Sequence, residues 1–321
     1  MGDLKVRNAK LSWEHLALGI SNCRLAAEVV EAVVQAQRMG IGNAFIAEDI
    51  GCRDAFQLTA LSSVAAKEIR LTVGVSNPYL RSPVALAEGM LTLNELASGP
   101  VALGLGSSSE AIISGQLGHR YPSPVPTMRA TVDGIRKAWD TAAGPGPRIV
   151  LAAMGPLMLR LAGEIADGVI LNTGTTPSYV RWAIERIAEG ATRSVRDPRT
   201  VSVAVWLPIY ITGDGSVSPR AWRWAASMLS IPKQGELLLE HAGLDASFLP
   251  ALRSLHGAYP AKGNADAAAQ IVPEQVVRTL ALTGMVEDVL ARLPAYVEAG
   301  ANVLIVGPRS VRLFAAAIVA G

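Results

Sequence analysis

The chain is poor in the residues that build disulfide frameworks and metal sites. Among 321 residues it has two cysteines, Cys23 and Cys52, and four histidines, His15, His119, His241 and His256. Two cysteines are too few for a disulfide scaffold, and no Cys or His falls at a metal-ligand spacing. The expectation is a pair of free thiols in a cytoplasmic protein without a bound metal. Charge of one sign is also lacking: 29 basic and 27 acidic residues leave a formal net charge of +2, with no Lys/Arg run. That balance argues against nucleic acid as a partner and leaves small anions open. Long apolar runs are missing too. No segment reaches the roughly 18 uninterrupted apolar residues of a membrane span, so no membrane association is expected. Residues 1–10 are polar and lack the apolar centre of an export signal.

What the chain does have is short apolar runs alternating with helical patterns from end to end. Half of its residues are apolar, enough to bury a large core in one domain spanning residues 1–321. Strands are expected at residues 15–20, 44–47, 69–75 and 101–105, two more within 149–172, and the last two at 201–211 and 301–306. Helices are expected at 25–39, 55–67, 83–96, 127–139, 179–191 and 287–298, with Gly40 and Gly300 as stop signals. This order calls for parallel strands with helical crossovers. Eight strands suit a (β/α)8 barrel, and an open doubly wound sheet of similar length fits the count as well. Residues 222–275 exceed what either fold needs. Their Trp, Leu and Ala content predicts a helical insertion after strand seven, where it would cover the C-terminal face of a barrel or serve as a buttress.

Three segments carry the pattern of a binding site. In 149–172 a strand ending at Ala152-Ala153-Met154 runs through Gly155-Pro156 into a short helix and a second strand ending at Asn172. Small residues admit a ligand to the backbone, and the helix start offers free N–H groups to a phosphate. An ordinary βα turn is the plainer alternative. Thr72-Val73-Gly74-Val75-Ser76-Asn77-Pro78 places a glycine inside a strand, which marks a bulge or a close backbone approach on which a flat ring could rest, or simply a strand end. Leu103-Gly104-Leu105-Gly106 ends a strand in a small polar loop but lacks the third glycine of a dinucleotide fingerprint. Glu48, Asp49, Arg53 and Asp54 cluster after the second strand, as acid–base groups or as a helix cap with a surface ion pair.

In order and spacing these segments resemble the bacterial luciferase-like superfamily, most closely its deazaflavin-dependent branch around methylenetetrahydromethanopterin reductase. The resemblance rests on Arg53-Asp54, on Gly74-Val75-Ser76-Asn77-Pro78-Tyr79-x-Arg81-x-Pro83, on Leu93-Asn94-Glu95-Leu96-Ala97-Ser98-Gly99 and on Leu103 to Gly106. It continues through Ala152 to Gly168 and ends with Pro273-Glu274-Gln275-Val276-Val277, Leu282-Thr283-Gly284, Glu298-Ala299-Gly300-Ala301 and Gly307-Pro308. It implies a (β/α)8 TIM barrel holding coenzyme F420, or less often FMN, at the C-terminal ends of its strands. By the same resemblance the ring rests on a strand-three bulge with a non-prolyl cis peptide, which maps to Gly74 and Val75, with Ser76, Asn77 and Gly106 around it. The phosphate side maps to Ala152, Ala153, Met154, Gly155 and Pro156, with Asn172 and Thr173 at the next strand end. A homodimer is also implied, although no stripe in the sequence marks an interface.

The chain departs from the family pattern at ionisable positions. Ser21 and Asn22 stand where an acidic residue is usual, Glu48-Asp49 replaces an Asp-His pair, and Arg81-Ser82-Pro83 replaces Arg-His-Pro. Hydride transfer to an iminium-like carbon needs no protein acid, whereas ketone reduction does. Asp49, Glu48 and Glu110 are the candidates for that role. The expected activity is F420-dependent hydride transfer to or from a small organic molecule. An FMN-dependent monooxygenase and a non-catalytic flavin-binding barrel are the alternatives.

Overall fold

A computed structural model describes residues 12–141, 146–172, 174, 176–257 and 263–320. Apolar alternation of period two sets its centre. In β1 (Leu16–Ser21), Leu16, Leu18 and Ile20 pack outward against helices, while Ala17 joins Phe45, Ile170, Ala204 and Ile305 along the barrel axis. The same two-sided burial repeats in β2 (Asn43–Ala47), β3 (Arg70–Ser76), β4 (Val101–Leu105), β5 (Arg148–Ala153), β6 (Gly168–Leu171) and β7 (Ser202–Trp206). After an excursion that contains β8 (Ile209–Ile211) and β9 (Leu282–Gly284), β10 (Val303–Val306) closes the ring. The order β1-β10-β7-β6-β5-β4-β3-β2 is a closed, all-parallel eight-stranded barrel, as the resemblance implied.

Helices α1 (Ala26–Arg38), α2 (Ala55–Ala65), α3 (Pro83–Leu96), α4 (Pro124–Asp140), α5 (Pro156–Ile165) and α6 (Pro177–Arg193) follow the first six strands in turn. In α1, Val29, Val33 and Ala36 form the buried stripe, and each such valine contributes roughly 1.5–3 kcal/mol relative to exposure. Side-chain caps start three of the helices: Asp54 accepts from Gln57 N at 2.9 Å, Ser82 from Ala85 N at 3.2 Å and Thr176 from Tyr179 N at 3.3 Å. Helices α5 and α6 approach backbone to backbone, because Gly163 faces the Ile187 carbonyl and Gly190 faces the Arg160 carbonyl with no room for a side chain.

The excursion carries α7 (Pro219–Ser230), α8 (Gln234–Ala242), α9 (Leu249–His256), α10 (Ala265–Ile271) and α11 (Glu274–Leu280) around a second apolar core that includes Leu229, Leu239, Leu252 and Val277. Strands β8 and β9 pair in parallel beside it. Helices α12 (Val286–Arg292) and α13 (Pro294–Glu298) lead back to β10, and α14 (Pro308–Ala320) ends the described chain. Several boundaries differ from expectation, among them that of the insertion, whose helices run from Pro219 to Leu280 rather than over 222–275. The run 201–211 is two strands, broken at Pro208, whose carbonyl instead accepts from Leu282 N at 2.9 Å. Residues 287–298 form two helices divided at Pro294, which has no N–H to continue the first. Residues 282–284 form a strand too short to show alternation. Among the described residues, no helix is long and apolar enough to cross a membrane.

Candidate functional site

The C-terminal ends of β2 to β6 carry most of the residues expected at the site. On β3, Val73 pairs with Leu103 but Ser76 pairs with Leu105, so three steps along β3 face two along β4. This is a bulge, and the Gly74–Val75 peptide within it is cis. Strand β4 and the residue after it make room for the bulge. A Cβ on Gly104 would lie 2.6 Å from the Val73 carbonyl oxygen and 2.9 Å from Val75 Cγ1, and one on Gly106 would lie 2.7 Å from Val75 Cγ2. Gly106 N also donates to the Ser76 carbonyl at 2.9 Å. Gly104 and Gly106 therefore serve the bulge, where the sequence had suggested only a strand end opening into a loop.

Ser76 is buried and its hydroxyl donates to Glu48. Glu48 also takes two bonds from Arg81, from Nη2 at 2.5 Å and Nε at 3.1 Å, and Arg81 Nη2 reaches Asp54 at 2.7 Å. The guanidinium lies 4.7 Å from the centre of the Phe56 ring. Burial works against ionisation of Asp54, but the hydrogen bond and charge of Arg81 hold its carboxyl below the usual value. Asn77 is buried and builds the following turn: its Oδ1 accepts from Tyr79 N at 2.8 Å.

Asp49 is exposed and accepts from the Ser21 hydroxyl at 2.6 Å. Its backbone is clasped by fully buried Asn22, which accepts from Asp49 N at 2.9 Å and donates to the carbonyls of Asp49 and Arg53. Beside this clasp, Cys23 and Cys52 form a disulfide, which corrects the expectation of free thiols. They are 29 positions apart, but parallel pairing of β1 and β2 brings the loops that follow them to a Cα separation of 4.8 Å. Spacing alone does not show such proximity. The bond withdraws free thiols as one ground for the expected cytoplasmic location.

Glu110 is exposed and stands two strands away, after β4, where it opens the single helical turn Ala111–Gln116. Burial raises the pKa of nearby Tyr121, and the charge of Glu110 adds to the effect. The Tyr121 ring meets Tyr79 at 4.8 Å, and their hydroxyls donate to the Ser108 and Pro122 carbonyls at 3.2 and 3.0 Å. This aromatic pair joins the loops after β3 and β4, and no sequence signal pointed to it.

At the end of β5 the side chains part by strand alternation. Ala152 lies at the barrel interior, whereas Ala153 turns into the outer core. Gly155 caps α5 with no side-chain hydrogen bond, Pro156 occupies the first turn, and nothing lies within 4 Å of where a Gly155 Cβ would be. The α5 N-terminus is thus open, with its dipole directed outward. Asn172 is exposed at the end of β6. Thr173 lies outside the described residues.

With this geometry in place, comparison decides the family. A model of the luciferase-like monooxygenase family matches residues 19–302. The chain belongs to the luciferase-like monooxygenase family. Within it, the chain is similar to 5,10-methylenetetrahydromethanopterin reductase of Methanolobus tindarius, at 27% identity over 292 residues covering 85% of this chain and 87% of the relative. It is 23% identical to the F420-dependent glucose-6-phosphate dehydrogenase of Rhodococcus erythropolis over 313 residues, covering 87% and 86%. The structure of the coenzyme F420-dependent tetrahydromethanopterin reductase of Methanopyrus kandleri superposes with a TM-score of 0.78 at 19% identity, covering 94% of this chain and 97% of that one. This places the bulge and the open helix start on a luciferase-like barrel.

Proposed function

We propose that this luciferase-like protein is an F420-dependent oxidoreductase that passes hydride between the deazaflavin and a small organic substrate. One observation carries the reading: the β3 bulge and the open start of α5 lie on the same face with only β4 between them. At ordinary strand spacing that is roughly 10 Å, a distance a ribityl chain bridges. The chain's own residues suit such a ligand. Gly74, Val75, Ser76 and Asn77 support the ring with Gly106, which adds no bulk over the bulge. Ala152 to Pro156 and Asn172 receive the phosphate, with backbone N–H groups at the positive end of a helix. Once bound, the cofactor supplies a carbon that gives or takes hydride.

Asp49, exposed at the mouth and oriented by Ser21, is assigned the proton transfer. Glu48 is committed to Arg81 and Ser76, so it orients the bulge. Glu110 contributes to the polar rim. The helices of residues 222–275 cover the substrate side. A homodimer through the barrel helices belongs to the same reading. Two relatives whose names carry F420 favour that cofactor. The test is a spectral titration of purified protein with F420 and with FMN. Saturable micromolar binding of F420 is expected. A retained yellow flavin with flavin-dependent oxygen uptake would favour the second reading, a monooxygenase, which the family's description supports.

A further inference from the structure

The phosphate end of the site is backed by a tyrosine on the next helix. Tyr179 of α6 is fully buried, and its hydroxyl donates to the Met154 carbonyl, the last before Gly155. The Met154 sulfur lies 3.7 Å from the same oxygen, but the single phenolic proton goes to the stronger acceptor. The ring is held by Trp182, with centroids 5.3 Å apart, and by the edge of His241 at 5.4 Å. Burial raises the Tyr179 pKa far above neutrality, so the group remains a donor.

This bond sets the direction of a peptide plane. Among the described residues only Gly74–Val75 is cis, so the Met154–Gly155 peptide is trans. In a trans peptide, carbonyl and N–H point opposite ways. With the Met154 carbonyl drawn toward α6, the Gly155 N–H points away from α6. It makes no hydrogen bond to another described residue, and nothing lies within 4 Å of where a Gly155 Cβ would be.

We infer that Tyr179 is a positioning residue for the cofactor phosphate: its hydroxyl locks the Met154–Gly155 peptide so that the Gly155 N–H joins the first N–H groups of α5 in facing the phosphate. This rests on the cofactor reading above. The fixed peptide acts through preorganisation, since a donor already aimed at its acceptor loses no orientational freedom on binding. Tyr179 does not touch the cofactor, so the effect is confined to ligands that carry the phosphate.

Wild type and Tyr179→Phe are titrated by fluorescence with F420, with FMN, and with the two corresponding ring-ribitol compounds that lack phosphate. The variant is expected to weaken binding of the phosphate-bearing cofactor about tenfold, the scale of one hydrogen bond to a charged group. Affinity for the phosphate-free compound should stay within about twofold, because the ring and its packing are kept. Equal weakening of both ligands, or no change in either, overturns the inference. If the variant does not fold, Gly155→Pro removes the N–H itself at a φ of −83° that proline accepts. The same phosphate-selective loss is then expected, and an unchanged ratio overturns the inference. If wild type binds FMN and not F420, with the same selectivity in the variant, the F420 reading fails and the role of Tyr179 stands. Binding of neither cofactor overturns both.

Discussion

The buried hydroxyl of Ser76 donates to Glu48, tying the bulged strand to the end of the strand beside it. Because Glu48 also pairs with Arg81 at 2.5 Å, its carboxylate is a structural charge, and the proposed reading assigns proton transfer to Asp49. Glu48→Gln should lower stability while kcat stays within a few-fold, whereas Asp49→Asn should lower kcat about 100-fold at unchanged stability. The opposite assignment of the two effects would transfer the proton role to Glu48.

Arg81 neutralises two carboxylates at once, and the Glu48 side chain is only 11% exposed. Removing the guanidinium in Arg81→Met leaves a nearly buried charge without its partner. A loss of about 2 kcal/mol is expected, between the values for surface and fully buried pairs. Urea unfolding measures it, and a change under about 0.5 kcal/mol would show that the ion pair has no structural weight.

Gly104 has no space for a side chain between the Val73 carbonyl and Val75. Gly104→Ala therefore displaces the bulge, at a cost of about 1–3 kcal/mol from overpacking. The melting temperature should fall by several degrees and cofactor affinity should fall with it. Loss of stability with full affinity would place the ring elsewhere.

The Cys23–Cys52 bond closes a loop of 29 positions across the mouth. On the chain-entropy account such a loop stabilises by about 3–4 kcal/mol, so the double variant Cys23→Ser, Cys52→Ser should lose a comparable amount. Thiol titration of native, unreduced protein should find no free cysteine. Two titratable thiols would restore the expectation drawn from composition.

His241 packs against Tyr179 and Trp182, and burial lowers its pKa below 6.5 with Glu240 partly opposing. The folded chain thus resists a proton that the unfolded chain accepts. Its contribution to stability is complete above about pH 6.5 and is lost as pH falls through the lower folded value. Melting curves between about pH 8 and pH 5 should show this loss in wild type, and a shallower slope in His241→Phe. A slope unchanged by the substitution would remove His241 from the account.

Much of the barrel was legible because period-two strands and amphipathic helices are local signals. Seven of the eight barrel strands lie within a residue or two of their expected places, and Gly74–Val75 lies where the resemblance put a bulge. The eighth, expected at 201–211, ends at Trp206 because Pro208 interrupts it. What the sequence hid is non-local. The Cys23–Cys52 bond, the Glu48–Arg81–Asp54 cluster, the Tyr79–Tyr121 pair and the Tyr179–Met154 bond each join loops or helices far apart in the chain. Arg81 stands in the Gly74–Pro83 motif, but nothing in its sequence neighbours names Glu48 and Asp54 as its partners.

On the proposed reading this barrel holds F420 between the β3 bulge and the α5 N-terminus. The most direct test is an absorbance and fluorescence titration of the purified, folded protein with F420, alongside the same ring system without phosphate. Saturable micromolar binding of F420 and clearly weaker binding of the phosphate-free compound are expected. Folded protein that gives no spectral change with F420, or that binds both compounds equally, would contradict that reading.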